Sequence, residues 1–435
     1  MNALLSPAPR RAIRELPDEL ISQIAAGEVV ERPASVVREL IDNALDAGAR
    51  QITVRLLAGG VRLIAVEDDG AGIPQGELPM ALKRHATSKI GNLAELESVR
   101  TFGFRGEALA AINAIADCVL SSRAADADAA WALHGRTGEL RPVARSVGTT
   151  VEVKELFFST PARRKFLKTD ATELAHCIEA VRRPALARPD VGFALWHEGR
   201  LVQQWRAQPP AGDTKRRLAD VLGDAFVAQS IALDYHTPSH AGAPQHPVRV
   251  HGHVGIPDAA RSRADQQYCY VNGRFVRDKV LSHAARSAFD DVLHGQRQPV
   301  YVLYIEIDPR RVDVNVHPTK IEVRFRDSRE VHQAVKHAVE DVLAGPRSGG
   351  VGVAADLTPL AAAAAHAQAS WRQPGLPVGY HVAEPSILWA RPAPAAGPAD
   401  AQELPVQANN ASAASAPDWP LGSALGQLHG IYILA

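Results

Sequence analysis

Only three cysteines occur in 435 residues. Cys118, Cys177 and Cys269 lie far apart and form no C-x-x-C pair, which argues against a disulfide framework or a structural zinc site and makes a reducing cytoplasm the simplest home. Net charge is missing too: 48 basic and 48 acidic side chains cancel, so any affinity for nucleic acid has to come from local basic patches and to weaken with salt. No run of about 18 apolar residues appears, and no apolar core follows Arg10, Arg11 and Arg14, so neither a membrane span nor a signal peptide is expected. The pattern G-x-x-x-x-G-K-[ST] is absent, which excludes a P-loop. His85 and His317 lack a second His or Cys at ligand spacing and are read as packing or hydrogen-bonding residues.

What is present is ordinary globular material. The hydrophobic fraction is 46% and the charged fraction 22%, and the length exceeds the ~100–200 residues of one domain, so two folded domains with accessory sequence are expected. From residue 13 to about 326, helix-like and strand-like segments alternate between Gly/Pro punctuation, a mixed α/β pattern. Composition then turns to alanine and proline over 345–417. A helix through the run from Ala361 to Ala365 is the alternative to a tether there, but Pro359 and Pro374 limit its length. Near the end, Ile431 to Leu434 has the character of an opening strand of a further domain, most of which these residues do not include.

Between Pro33 and Ala47, Val36, Val37, Leu40, Ile41, Ala44 and Leu45 recur with helical spacing, and Gly48 fits the stop. Glu39 and Asn43 stand one turn apart on the polar side. A carboxylate there can take a proton from water while an amide oxygen ligates Mg²⁺. The same spacing also suits a solvated helix face. Next, Ile52, Val54 and Leu56 alternate, Gly59 and Gly60 turn, and residues 61–66 return as a strand. Its end delivers Asp68, Asp69, Gly70, Ala71 and Gly72. A strand-end carboxylate can accept the amino group of adenine, and the glycines permit close approach of a ligand; an ordinary turn fits as well. The glycines of GFRGEAL precede an apolar helix, where backbone N–H groups can meet phosphate.

In order, ELIDNALDAG, EDDGAGI, RHATSKI, GFRGEAL and GTTVEV resemble the ATP-binding family of gyrase, the ninety-kilodalton heat-shock chaperones, histidine kinases and MutL. The segments IAAGEVVERPASVVRELIDNALDAGA, GFRGEALAAI and FFSTPARRKFL narrow the resemblance, over residues 16 to about 325, to the MutL family of bacterial DNA mismatch repair. It implies an α/β (α+β sandwich) fold: an ATPase domain over 1–220 with a mixed sheet and helices on one face, then a smaller ribosomal-protein-like α/β transducer domain over 221–344. A disordered linker over 345–417 and the start of a dimerisation domain over 418–435 would follow.

The resemblance also implies roles. Glu39 would be the general base, Asn43 would hold Mg²⁺, and Asp68 would bind adenine, with Gly72 lining its pocket and Thr149 supporting it. Thr87, Ser88 and Lys89 would belong to a lid over ATP, and Gly103, Phe104, Arg105 and Gly106 would wrap the phosphates. Lys320 would reach the γ-phosphate from the second domain. Asp69 stands where the family often has Asn. Implied partners are a MutS-type mismatch sensor, a strand-nicking endonuclease, a helicase and an ATP-dependent second copy, in the cytoplasm at the nucleoid.

Residues 268–274 and 301–307 read as strands of the second domain, with Ser282 to Leu293 a helix between them. Basic residues cluster at Arg163, Arg164, Lys165 and Lys168, and again at Arg261, Arg263, Arg274, Arg277 and Lys279. Lys165, Arg274 and Arg277 are the candidates for a groove that holds single- or double-stranded DNA by its phosphates without reading sequence; solvated faces are the alternative. No endonuclease site is visible. Two other functions compete with a slow mismatch-repair ATPase: another enzyme of the superfamily, such as a type II topoisomerase subunit, and a scaffold that holds ATP and DNA without turnover.

Overall fold

The computed structural model describes residues 15–92, 95, 101–103, 106–209, 214–238, 247–293, 297–316, 321–348, 426–428 and 432–434. The chain divides into two units, Met1–Ala355 and Asp356–Ala435.

In the first unit, helix α1 (Asp18–Val29) leads into α2 (Pro33–Asp46). Pro33 suits the first turn of α2, where its missing N–H would have no partner anyway. The apolar stripe of α2 is buried, and the chain leaves the helix through Gly48 as the sequence pattern expects.

Strand β1 (Gln51–Leu57) buries Ile52, Val54 and Leu56 and turns the intervening residues outward. That two-residue repeat is what a strand with one covered face requires. It pairs antiparallel with β2 (Leu63–Asp68). Helix α3 (Ala108–Ile115) precedes β3 (Asp117–Arg123), β4 (Ala130–His134), β5 (Leu140–Val143) and β6 (Gly148–Lys154). Helix α4 (Asp170–Ala187), β7 (Gly192–His197) and β8 (Arg200–Trp205) complete the layer. The sheet order is β5-β4-β3-β6-β2-β1-β7-β8, mixed because β1 and β7 run parallel. Arg55 and Glu67 pair at 2.8 Å on the face away from the helices.

After α5 (Thr214–Leu222), a second sheet forms from β9 (Ser230–His236), β10 (Arg249–Gly255), β11 (Gln267–Val271), β12 (Arg274–Val276) and β13 (Tyr301–Glu306), in the order β12-β11-β13-β10-β9. Helices α6 (Lys279–Ser287) and α7 (Ser328–Ser348) share a core with it that includes Leu281, Leu303, Val331 and Val335. Its tyrosines meet α4: the Tyr270 hydroxyl donates to the Arg183 carbonyl and the Tyr304 hydroxyl to the Leu186 carbonyl, both at 2.8 Å.

Several boundaries differ from the sequence reading: the strand expected over 61–66 is Leu63–Asp68, and α6 ends at Ser287, short of the expected Leu293. Helix α6 begins three residues before Ser282, because the Asp278 carboxylate caps it, accepting the N–H groups of Val280 and Leu281 at 2.8 and 3.1 Å. Helix α7 continues to Ser348, into the first residues assigned to the tether; the rest of 345–417 lies outside the described residues. In the second unit, Gly426–Leu428 pairs antiparallel with Tyr432–Leu434, so the expected strand has a partner. Among the described residues, no helix is long and apolar enough to cross a membrane.

Candidate active site

A cavity of about 700 Å³ lies between the polar face of α2 and the end of β2, within the ~300–1,000 Å³ usual for small-molecule sites. Ile64, Val66 and Asp68 alternate on β2, so Asp68 takes the face of the sheet that carries the helices. Strand register sets Thr149 of β6 opposite it. One Asp68 oxygen, Oδ1, accepts the N–H of Gly70 at 2.9 Å and of Thr149 at 3.3 Å. The second oxygen has no hydrogen bond among the described residues. Burial raises the Asp68 pKa above its ordinary value, and the two N–H bonds and nearby Arg145 only partly oppose this.

Ser122, buried on β3, completes this wall. Its hydroxyl donates to the Gly148 carbonyl at 2.9 Å, accepts the Ile73 N–H at 2.8 Å and lies 2.9 Å from the Thr149 hydroxyl. Arg145 donates to the Asp68 carbonyl at 2.8 Å. Gly72 has φ +73°, and a Cβ there would lie 2.0 Å from the Arg123 carbonyl oxygen. Close packing of its loop on β3, rather than approach of a ligand, is therefore what demands glycine.

At the other end, α2 presents Glu39, Asn43 and Asp46. These positions are four and three residues apart and share one side of the helix. Glu39 is only 5% exposed, with Arg38 donating to its Oε1 at 3.3 Å. The Asn43 Oδ1 accepts the Lys89 ammonium at 2.7 Å. Asp46 pairs with the same ammonium at 2.6 Å and accepts the N–H groups of Phe102 and Gly103, each at 2.8 Å. The Thr87 hydroxyl accepts the Lys89 N–H at 3.1 Å. Thr87, Ser88, Gly103 and Gly106 also line the cavity. Oxygen donors of this kind suit a hard divalent cation, and the Asn43 oxygen already meets a positive charge. The free oxygen of Asp68 suits an amino group.

The family described as histidine kinase-, DNA gyrase B- and HSP90-like ATPase matches residues 31–138, and the DNA mismatch repair protein C-terminal domain family matches residues 218–344. The DNA mismatch repair protein MutL of Ralstonia nicotianae is 49% identical over 98% of this chain and 71% of its own length. The chain belongs to the MutL family. MutL of Herminiimonas arsenicoxydans is 50% identical over 98% of this chain and 70% of its own length. A crystal structure of the N-terminal domain of a DNA repair protein superposes with a TM-score of 0.65 at 24% identity, covering 76% of this chain and 99% of that one. That likeness bears on the fold alone.

The match to the histidine kinase-, DNA gyrase B- and HSP90-like ATPase family spans Glu39, Asn43, Asp68, Gly72, Thr87, Ser88, Lys89, Gly103 and Gly106, while Thr149 lies past its end and reaches the site through β6. Phe104, Arg105 and Lys320 lie outside the described residues. The Gly103 N–H, expected on a phosphate, is donated to Asp46.

Arg274 departs from the sequence reading. Expected in a DNA groove, it is 9% exposed and donates to the carbonyls of Thr101 and Phe102 at 2.8 and 3.1 Å. The alternation of β12 buries it with Val276, and burial lowers its pKa, countered by Asp42, Glu39 and Asp46. Lys165 and Arg277 are exposed.

Sequence reasoning missed Asp46, Ser122 and Arg145. It left open the role of Asp69, whose carboxylate accepts the N–H groups of Arg50 and Gln51 at 2.7 and 2.8 Å at the start of β1. The signal for Asp46 was its position one turn beyond Asn43.

Proposed function

We propose that this chain is a DNA mismatch repair mediator that hydrolyses ATP slowly with Mg²⁺ and uses the nucleotide to switch its association with partners. Membership of the MutL family and the matched ATPase region support a mismatch-repair ATPase. The observation that carries the chemistry is that one cavity holds a general-base candidate, Glu39, a cation-facing amide, Asn43, and a strand-fixed acceptor, Asp68.

In this reading Asp68 accepts the exocyclic amino group of adenine on its free oxygen, and the N–H groups of Gly70 and Thr149 hold that carboxylate in place. Asn43 would hold Mg²⁺, which supplies charge neutralisation at the phosphates. Glu39 takes the proton of the attacking water as the water oxygen bonds to the terminal phosphorus, whose bond to the leaving diphosphate breaks. Lys320 senses the terminal phosphate. Binding of ATP brings two copies together, with residues before about Val30 contributing, and couples a MutS-type mismatch sensor to a strand-nicking endonuclease and a helicase. Exposed Lys165 and Arg277 contact DNA phosphates without sequence preference. The site of action is the cytoplasm, at the nucleoid.

Glu39→Ala tests the reading. It should lower turnover by ~10²–10⁴-fold, the usual contribution of a positioned acid–base group, and leave nucleotide binding in place by equilibrium titration. Unchanged turnover would remove Glu39 as the base.

A further inference from the structure

Lys89 has an unusual address for a lid residue. Its side chain is 19% exposed, and its ammonium touches both Asn43 and Asp46 on α2. The Gly103 backbone closes the third side, since a Cβ added there would lie 2.7 Å from the ammonium nitrogen. The cation is therefore seated by two α2 side chains and packed by the start of the phosphate segment. It bonds to the oxygen that the proposed function gives to Mg²⁺.

We infer that the Lys89 ammonium and the divalent cation are alternatives at the Asn43 oxygen, so that metal loading displaces Lys89 and metal loss restores it. The inference rests on the reading of Asn43 as the metal-holding residue. A metal about 2.1 Å from that oxygen would stand within roughly 5 Å of an ammonium still bonded to it. Two like charges so close in a partly buried site repel strongly, and one carboxamide oxygen offers both of them the same lone pairs. The two backbone N–H groups that Asp46 accepts come from Phe102 and Gly103 and do not involve Lys89, so the exchange can proceed while the start of the phosphate segment stays anchored. Residues 87–89, joined by the bond from the Lys89 N–H to the Thr87 hydroxyl, then sense whether the metal is present.

The test is the Mg²⁺ concentration at half-maximal binding of a fluorescent ADP analogue, measured on the whole chain. Lys89→Met, which removes the charge at similar length, should lower that midpoint by roughly five- to tenfold, the scale of one partly screened charge interaction. Lys89→Gln should move it the same way and carries the test if the Met variant does not fold. An unchanged or raised midpoint in a folded variant would overturn the exchange. Asn43→Ala separates this failure from the other. Divalent dependence that is lost in Asn43→Ala but unmoved by Lys89→Met sinks the exchange alone. Dependence that survives in Asn43→Ala sinks the assignment of Asn43 to the metal, and the exchange with it.

Discussion

The two ends of the cavity are built from different bonds. At the β2 end, Asp68 answers to backbone: its fixed oxygen takes N–H groups from Gly70, in the turn that follows β2, and from Thr149, which strand register sets opposite it. At the α2 end, Asn43 and Asp46 share the Lys89 ammonium, and Asp46 also accepts two backbone N–H groups from Phe102 and Gly103. Backbone bonds between paired strands break only with the sheet. Side-chain ion pairs exchange partners and are screened by salt. The β2 end is thus fixed by the fold, and the α2 end, in the proposed function, is the part that can answer to which cation is present.

Asp68→Asn should give the largest effect on nucleotide binding. An amide oxygen keeps the bonds from Gly70 and Thr149, but a charged acceptor for the amino group is gone. A hydrogen bond to a charged group contributes about 1.5–3 kcal/mol, so nucleotide binding should weaken by roughly 10- to 100-fold. Thermal stability without nucleotide should hold or rise, because a desolvated charge has been removed. The sign with pH follows from the raised pKa. The folded state holds the Asp68 proton more tightly than the unfolded one, so this group's contribution to stability is greatest below its ordinary pKa and falls as pH rises toward the raised value. Nucleotide affinity should climb over that same window as the carboxylate forms. Calorimetric titration and thermal melts across acidic pH check both. A variant that loses stability and keeps affinity would break the picture of a β2 end fixed by the fold.

Asp46→Ala comes next. It leaves the N–H groups of Phe102 and Gly103 without their acceptor and Lys89 with one partner fewer. Unsatisfied donors of this kind cost about 1–3 kcal/mol. Turnover at saturating ATP should fall about tenfold as the segment at Phe102 and Gly103, proposed to meet the phosphates, loses its seat, while affinity for adenosine, which lacks phosphates, should stay within a factor of about two. An equal loss for adenosine and ATP would show that the two ends are not separable.

These contrasts bear on what could be read beforehand. The α2 helix, the β1–β2 hairpin and the strand-end position of Asp68 follow from periodicity, because a core-facing stripe repeats at 3.6 residues and a half-covered strand at two. The burial of Glu39 does not follow. Its helical face reads as polar and solvated, and only the sheet and the segment at 101–103 folding over that face turn it into a cavity wall. The position of Asp46 one turn beyond Asn43 was legible, but its backbone partners were not, since they lie 56 and 57 residues further along the chain. Arg274 misled in the opposite direction. A basic cluster in sequence suggests a surface, but pairing of β12 with β11 turns this member inward to the Thr101 and Phe102 carbonyls. Helix-to-loop and strand-to-loop contacts over such distances leave no local periodic mark.

Ser122→Ala is the smallest change and the sharpest on the division between the ends. It deletes the bond to the Gly148 carbonyl and the acceptor of the Ile73 N–H, while the bond from the Thr149 N–H to Asp68 needs no serine. A net cost of about 0.5–1.5 kcal/mol in stability is expected, with nucleotide affinity reduced roughly two- to fivefold as the wall behind Asp68 loosens. The Mg²⁺ midpoint for nucleotide binding should not move, because no bond of Ser122 reaches Asn43, Asp46 or Lys89. Measured side by side with Lys89→Met, the two variants should separate cleanly: one shifts affinity at saturating metal, the other shifts the metal midpoint. A Ser122→Ala variant that moved the midpoint would mean that strain travels through the sheet to α2 and that the cavity works as one piece.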